Sequence, residues 1–132
     1  MKRAFISFGF TGVSKKDRDL GLAGSISSLQ KNGIDWFCSN EWEHYFNSSE
    51  RKMDAKAIYK VCLKKQETCD RVLFFFISEQ ESSGMQQELA LAKELHLPVE
   101  TVFAEGCGVQ EWMLPFLEYE QEMPAEYILL AA

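Results

Sequence analysis

Basic residues are scarce in this chain of 132 residues. There are 14 lysines and arginines against 20 aspartates and glutamates, which gives a net charge of −6 at pH 7. A general nucleic-acid binder needs a basic stripe to neutralise phosphates, so we expect no nucleic-acid partner. From Glu94 onward there are eight glutamates and no lysine or arginine. This acidic part is either a solvated face or a docking surface for a basic partner, and the sequence leaves both open.

Long apolar runs and metal-ligand patterns are also missing. No apolar run reaches the roughly 18 residues that span a membrane. The first residues, MKRAFISFGF, lack the cleavage region of a signal peptide. The four cysteines form no CxxC pair, and neither of the two histidines has metal-ligand spacing with a cysteine. We therefore expect a cytoplasmic protein with reduced thiols, no membrane partner, no metal and no cofactor.

The composition is that of a chain with a packed core. Hydrophobic residues make up 46% of the sequence and aromatic residues 13%, which argues against disorder. A chain of this length buries roughly two-thirds of its unfolded surface and folds without disulfides or metals. The sequence contains no linker, repeat or low-complexity segment. We therefore expect residues 1–132 to form a single domain.

Strand and helix patterns alternate along the whole chain. The run RVLFFFI is typical of a central strand that is buried on both faces. Strands joined through helices imply right-handed crossovers and a parallel sheet covered on both sides. The sequence therefore predicts an α/β fold, a flavodoxin/Rossmann-like three-layer sandwich with four or five parallel strands. The predicted strands are Ala4–Phe8, Ile34–Cys38, Arg71–Ile77, Leu97–Ala104 and, as a candidate fifth, Tyr127–Leu130; the predicted helices are Asp17–Lys31, Ser49–Thr68, Ser83–His96 and Trp112–Leu117.

Three connections lie where a ligand of such a sheet is expected, at the carboxyl ends of the strands. The first contains Gly9 and Gly12, and the third is Ser78–Gly84. The second is rich in aromatic residues, of which Trp42 and Tyr45 are suited to stacking on a nucleobase. Aromatic residues in such a loop also commonly cap the core, and the sequence does not separate the two roles.

The third connection and the helix after it carry most of the chemical information. Ser82, Ser83 and Gly84 precede or open a helix, where free backbone N–H groups and the positive end of the helix dipole favour a phosphate. Glu88 lies about one turn further on. The spacing is equally compatible with a capping box of Ser83 and Gln86 and with an acid placed in a first turn by the dipole alone. In the same helix the apolar positions predicted to face inward are Met85, Leu89, Ala92 and Leu95.

The stretch CDRVLFFFISEQESSGMQQELALAKELHLPV resembles the signature of the nucleoside 2-deoxyribosyltransferase-like superfamily. It is especially similar to a small branch of that superfamily with the pattern S-x-G-M-x-x-E, then A, then P-V. The opening MKRAFISFGFTG also resembles the first strand and glycine loop of the superfamily. The similarity covers roughly residues 1–103 in order, and its most specific part is residues 70–99.

The resemblance implies chemistry at an N-glycosidic bond. In the active families a glutamate at the position of Glu88 attacks the anomeric carbon of a deoxyribosyl group and forms a covalent glycosyl-enzyme. A serine at the position of Ser82 resembles the superfamily's 5′-monophosphate hydrolases, so a nucleotide is the expected ligand. The resemblance also implies a homodimer or higher oligomer whose subunits complete one another's sites. The implied nucleotide and phosphate contacts are Gly9, Gly12, Ser82, Ser83, Gly84 and Met85, and the implied sugar or base contacts are Phe5, Trp42, Tyr45, Asp54 and Cys62.

Two positions depart from the pattern of the active families. Cys62 stands where a catalytic aspartate is expected, and Phe5 stands where the first strand presents a tyrosine. A thiol is a poor replacement for a carboxylate in orienting a sugar hydroxyl or moving a proton at pH 7; the nearby Asp54 and Glu67 are alternative acids if the loop geometry differs from that of the family. Two functions therefore stay open: an N-glycosidase or deoxyribosyltransferase that uses Glu88, and a non-catalytic nucleotide-binding module.

A second resemblance is to TIR domains. RAFISF, GIDWF and CDRVLFFFIS, followed by a serine six residues before Glu88, match the layout of that family. A glutamate of the corresponding helix cleaves the N-glycosidic bond of NAD in those domains, so this resemblance implies NAD as the ligand. Both resemblances point to a nucleotide-type ligand and to Glu88.

Overall fold

The described residues form a four-stranded sheet with helical residues on both faces. A computed structural model describes residues 3–8, 16, 23, 26–27, 29–31, 33–38 and 55–125. Residues 16, 23, 26–27 and 29–31, between the first two strands, are helical. The strands are β1 (Arg3–Phe8), β2 (Asp35–Cys38), β3 (Arg71–Phe76) and β4 (Val99–Phe103); the longer helices are α1 (Ala55–Glu67), α2 (Ser83–Glu94) and α3 (Leu114–Glu122), and a 3-10 turn, Glu111–Met113, precedes α3.

All four strands run parallel, in the order β2-β1-β3-β4. The predicted α/β, flavodoxin/Rossmann-like fold is confirmed. The order reverses between β1 and β3, because the chain moves outward to β2 on one side of β1 and to β3 and β4 on the other. Ser7 of β1 lies opposite Phe74 of β3 close to the carboxyl ends of both strands. This end of the β1–β3 pair is the place where open sheets of this kind bind ligands.

The sheet separates two apolar clusters. Successive side chains of a strand point to opposite faces, so in β3 Phe74 faces α1, α2 and α3 while Leu73 faces the other side. The ring of Phe74 meets that of Phe116 of α3 edge to face at 4.9 Å. The larger cluster, on the α1–α3 side, is Phe5, Phe37, Cys62, Cys69, Val72, Phe74, Phe76, Met85, Leu89, Ala92, Val99, Met113, Phe116 and Tyr119; the smaller is Ala4, Ile6, Leu29, Ile34, Leu73 and Ala125.

The helix predicted at Trp112–Leu117 is longer than expected. Its 3-10 turn begins at Glu111, and α3 continues to Glu122 with Pro115 in its first turn, where a missing N–H costs nothing. Phe116 is fully buried, and Trp112 is packed against the larger cluster with its ring 5.9 Å from that of Phe116. This apolar pair therefore belongs to the core.

The end of α2 differs from the prediction. The helix ends at Glu94, with Leu95 as its C-cap and His96 in the left-handed region at φ 55°. Leu95 is consequently 38% exposed, and the prediction that it faces inward is wrong. The helical spacing that points Met85 and Ala92 inward is broken once the chain leaves the helix.

The described chain ends beside β4. The Val99 N–H donates to the Met123 carbonyl oxygen, and the Val99 carbonyl oxygen accepts from the Ala125 N–H. These two bonds form a parallel bridge between Val99 and Pro124. The candidate fifth strand, Tyr127–Leu130, lies outside the described residues. Within the ranges that the structure describes, no helix is long and apolar enough to cross a membrane.

Candidate functional site

Glu88 lies on the buried face of α2. It is 5% exposed and shares that face with Met85, Leu89 and Ala92. Those four positions have the i, i+3, i+4, i+7 spacing of one helix face, so the acid takes a core position. α2 packs on β1 and β3, next to the reversal in strand order. The most chemically informative residue of the sequence is thus buried where the fold favours a ligand site.

The Glu88 carboxyl is short of polar partners. Burial raises its pKa to about 8, and the hydroxyl of Ser7 on β1 lowers that pKa by a smaller amount. None of the charged side chains in the described ranges contributes to this pKa. At pH 7 only about one molecule in ten therefore carries the ionised form. A carboxyl with such a raised pKa acts as a general acid or a hydrogen-bond donor while it is protonated. It acts as a nucleophile only after it loses the proton.

Three buried polar atoms lie around this position without a hydrogen bond to any described residue. They are the Ser7 hydroxyl oxygen, Glu88 Oε2 and Gln66 Oε1. Ser7 lies near enough to Glu88 to influence its pKa, yet the two side chains do not reach hydrogen-bond geometry. Unpaired buried polar atoms cost free energy and are rare in folded proteins. They lie on three neighbouring elements, β1, α1 and α2, and make this position the candidate site.

Gln66 secures the backbone of Glu88. Its side-chain N–H donates to the Glu88 carbonyl oxygen at 2.8 Å, and its side chain is fully buried. Gln66 comes from the last turn of α1, so this bond ties α1 to the middle of α2. No sequence pattern predicts this role for Gln66, because nothing in the pattern connects residues 22 positions apart. Ser7 has a sequence signal that was not used: it is a hydroxyl two positions after Phe5 and therefore on the same face of β1.

The N-terminus of α2 is capped by Ser82. The Ser82 backbone has the extended conformation of an N-cap residue, and its side-chain hydroxyl accepts the Met85 N–H at 3.2 Å. Gln86 donates its side chain to Glu81 rather than back to the cap, so the predicted capping box of Ser83 and Gln86 is wrong by one residue. The Met85 N–H is engaged in the cap. Among the predicted phosphate contacts, Ser83 is exposed and Ser82 and Gly84 are partly exposed, so this end is accessible.

A second connection forms one wall of the same sheet edge. Glu79, which follows β3, accepts from the Gly108 N–H at 3.3 Å and from the Gln110 side chain at 2.6 Å. The Glu79 carbonyl accepts the indole N–H of Trp112 at 2.9 Å. These bonds join the connection after β3 to the one after β4. The sequence gives no signal for them, since the partners are about 30 residues apart.

Phe5 and Cys62 belong to the larger apolar cluster. Phe5 is fully buried and stacks on Phe37 of β2 with ring centroids 5.6 Å apart. Cys62 of α1 is 3% exposed. Together with Met85 they line the same side of the sheet as Ser7 and Glu88. The structure thus brings three predicted contacts, Phe5, Cys62 and Met85, to the side of the acid, and supplies an apolar environment there.

The other predicted contacts, Gly9, Gly12, Trp42, Tyr45 and Asp54, lie outside the described residues. In the described ranges, no three of the His, Cys, Asp and Glu side chains are grouped as metal ligands.

A pair of acids lies at the edge strand β4. Glu120 of α3 accepts from the backbone N–H and the hydroxyl of Thr101 in β4. The adjacent Glu100 is partly buried, and burial together with the charge of Glu120 raises its pKa to about 7. This pair joins α3 to β4 and is separate from the candidate site.

Comparison with protein-family models finds no match for the chain, and none of the curated proteins is significantly similar to it in sequence.

Proposed function

We propose that the protein binds a nucleotide, with the phosphate at the N-terminus of α2 and the sugar at Glu88, where the N-glycosidic bond is cleaved. The observation that carries the proposal is the buried carboxyl of Glu88, whose Oε2 has no hydrogen-bond partner among the described residues; it lies six residues beyond the Ser82 N-cap and beside the reversal in strand order. Six residues of helix rise roughly 9 Å. A ligand that reaches from the helix end to the acid therefore has the length of a phosphorylated sugar.

The chemistry proposed for Glu88 is that of a retaining glycosidase. The ionised carboxylate forms a bond to the anomeric carbon while the carbon–nitrogen bond breaks, and the base leaves with that electron pair and takes a proton from water. A second water then cleaves the glycosyl ester: its oxygen bonds to the anomeric carbon, and its proton neutralises the hydroxide that the first water left. This step releases the sugar phosphate and restores the Glu88 carboxylate. Positive charge that develops on the sugar favours the carboxylate form of an acid in an apolar environment. The resemblance of residues 70–99 to the deoxyribosyltransferase-like superfamily favours a deoxynucleoside 5′-monophosphate.

A second candidate is a nucleotide-binding module without turnover. Cys62 and Phe5 occupy the positions of the expected catalytic aspartate and tyrosine, and both are buried in apolar surroundings. Neither side chain supplies a proton donor or a second carboxylate. Glu88 as a neutral acid would then donate a hydrogen bond to a sugar oxygen. Binding is common to both candidates, and base release separates them.

Assembly and location are part of the same proposal. We expect a homodimer or a higher oligomer in which a neighbouring subunit completes the site, and a cytoplasmic location. The molar mass measured by light scattering during size-exclusion chromatography tests the first expectation. A monomer that binds a nucleotide with full stoichiometry would contradict it.

The test is thermal unfolding in the presence of nucleosides, the four deoxynucleoside 5′-monophosphates and NAD, followed by chromatography for released base. A ligand at 100 times its dissociation constant adds about 2.7 kcal/mol of stability. We expect a monophosphate to raise the melting temperature more than its nucleoside does. Glu88→Gln should abolish base release, whereas Glu94→Gln, an exposed position of the same helix, should not.

The outcomes are distinct. Stabilisation without base release supports the binding module, and release from NAD alone supports the TIR-like alternative. No stabilisation by any of these ligands would overturn the proposed function.

A further inference from the structure

We propose that Ser7 is a positioning residue for Glu88: its hydroxyl donates to Glu88 Oε2 when the carboxylate forms, and so holds the acid in its reactive orientation. This inference rests on the proposed function and adds to it a residue that stabilises the ionised form of Glu88. Ser7 forms and breaks no covalent bond in this role.

The geometry is the first support. Ser7 is fully buried in β1, in register with Phe74 of β3. An apolar side chain at position 7 would avoid burying an unpaired hydroxyl. The Ser7 hydroxyl and Glu88 Oε2 are both buried and have no hydrogen-bond partner among the described residues. Two such atoms on adjacent elements cost free energy while they stay unpaired. The helix that carries Glu88 packs on β1, and Ser7 is close enough to the Glu88 carboxyl to lower its pKa.

The second support is that the described residues around Glu88 offer no other side chain placed to donate a hydrogen bond to its carboxylate. α1 contributes Cys62 and Gln66 to this side of the sheet, and Gln66 uses its N–H on the Glu88 carbonyl. β1 contributes Phe5 besides Ser7, and β3 contributes Phe74. Among the charged residues of the described ranges, none affects the Glu88 carboxyl. Of the described residues, Ser7 alone favours the ionised form of Glu88.

The sequence of events is simple. Glu88 releases its proton to solvent, and the resulting carboxylate accepts the Ser7 O–H through Oε2. Its other oxygen stays available for the ligand. Hydrogen bonds to charged groups are roughly twice as strong as bonds between neutral groups, so the pair strengthens when Glu88 ionises. The hydroxyl therefore favours the ionised state over the neutral one.

The experiment is a ¹³C NMR titration of the Glu88 carboxyl in the ligand-free protein, with the signal assigned by its loss in Glu88→Gln. Ser7→Ala should raise the pKa of Glu88 and leave about tenfold less of the ionised form at pH 7. Ser7→Thr keeps a hydroxyl and should restore the original midpoint. Thr68→Val removes an exposed hydroxyl just after α1 and should leave the titration midpoint of Glu88 unchanged.

Backbone amide spectra of each variant establish that it is folded, and Ser7→Thr keeps the test valid if Ser7→Ala is not. An unchanged Glu88 midpoint in folded Ser7→Ala, or a shifted midpoint in Ser7→Thr, would overturn the proposal. The titration needs no ligand, so its result is independent of nucleotide binding. Where turnover is found, the pH profile of kcat/KM in Ser7→Ala should move in the same direction, and a loss of rate without that movement would also count against the proposal.

Discussion

The side chain of Gln66 donates a 2.8 Å hydrogen bond to the backbone carbonyl oxygen of Glu88. This bond connects the last turn of α1 with the middle of α2, and both residues are buried. It fixes the position of the Glu88 backbone relative to α1. Glu88 Oε2 has no hydrogen-bond partner among the described residues, so the structure fixes the backbone of Glu88 and leaves this oxygen available.

Substitution of Gln66 tests this connection. Gln66→Met keeps the volume and loses the bond, which should cost about 1 kcal/mol of unfolding free energy. Gln66→Glu cannot donate once it ionises and buries a charge, so it should cost more than Gln66→Met, increasingly as pH rises from 5 to 8. Denaturant unfolding of both variants at the two pH values measures the difference. Equal costs at pH 8 would contradict the account.

The stability of the protein should depend on the protonation of Glu88. Its pKa is raised in the folded state from 4.5 to about 8, so the folded protein binds more protons than the unfolded chain between these values. The unfolding free energy should therefore fall as pH rises through that window, by up to about 1.4 kcal/mol for each pH unit, and level off above it.

Glu88→Gln should be free of this dependence, because its side chain does not titrate. The stability of the unchanged protein relative to Glu88→Gln should decline steadily from pH 5 to pH 8. Glu94→Gln, at an exposed position, is the control and should parallel the unchanged protein. A constant difference between the unchanged protein and Glu88→Gln over this range would mean that the carboxyl is not buried as described.

Glu100 should show a smaller effect of the same sign. Burial and the charge of Glu120 raise its pKa from 4.5 to about 7, so its ionisation above that pH opposes folding. Glu100→Gln should raise the melting temperature at pH 8 and have less effect at pH 5. Melting curves at the two values check the prediction, and Glu105→Gln, an exposed acid after β4, serves as the control. A larger gain at pH 5 would contradict it.

The N-cap of α2 provides a direct comparison of two adjacent serines. Ser82 accepts the Met85 N–H, whereas Ser83 is exposed in the first turn. Ser82→Ala should cost about 1 kcal/mol of stability and lower the melting temperature by about 4 °C. Ser83→Ala should leave stability almost unchanged. Comparable losses in the two variants would show that the cap is not where the structure has it.

The fold could be predicted because its signals are local. The apolar run of β3 and the helical spacing of α2 each identify their element from consecutive residues, and alternation of strands and helices then limits the topology to a parallel sheet. The ends of elements were harder to predict. Leu95 continues the apolar spacing of α2, but it is the C-cap, and the chain leaves the helix at the next residue, His96, which is in the left-handed region.

The site could be predicted in part. Glu88 stands at the third position after Met85 and the fourth before Ala92, so its place on the apolar face of α2 was implicit in the helical period. The raised pKa of Glu88 could not be predicted in this way, because it depends on how completely the side chain is buried in the folded protein. Gln66 and Glu79 bond to residues 22 and about 30 positions away, and such pairs follow from tertiary packing alone. They had no signal in a single sequence.

The most direct test of the central claim is an NMR titration that observes both ends of the proposed ligand site at once. The four 2′-deoxynucleoside 5′-monophosphates are added in turn while the amide signals of Ser83 and Gly84 and the carboxyl signal of Glu88 are followed. We predict that one of them moves all three signals with a single dissociation constant, that its nucleoside moves mainly Glu88, and that inorganic phosphate moves only the two amides. Nucleotide titrations that leave Glu88 and the start of α2 unchanged would contradict the account.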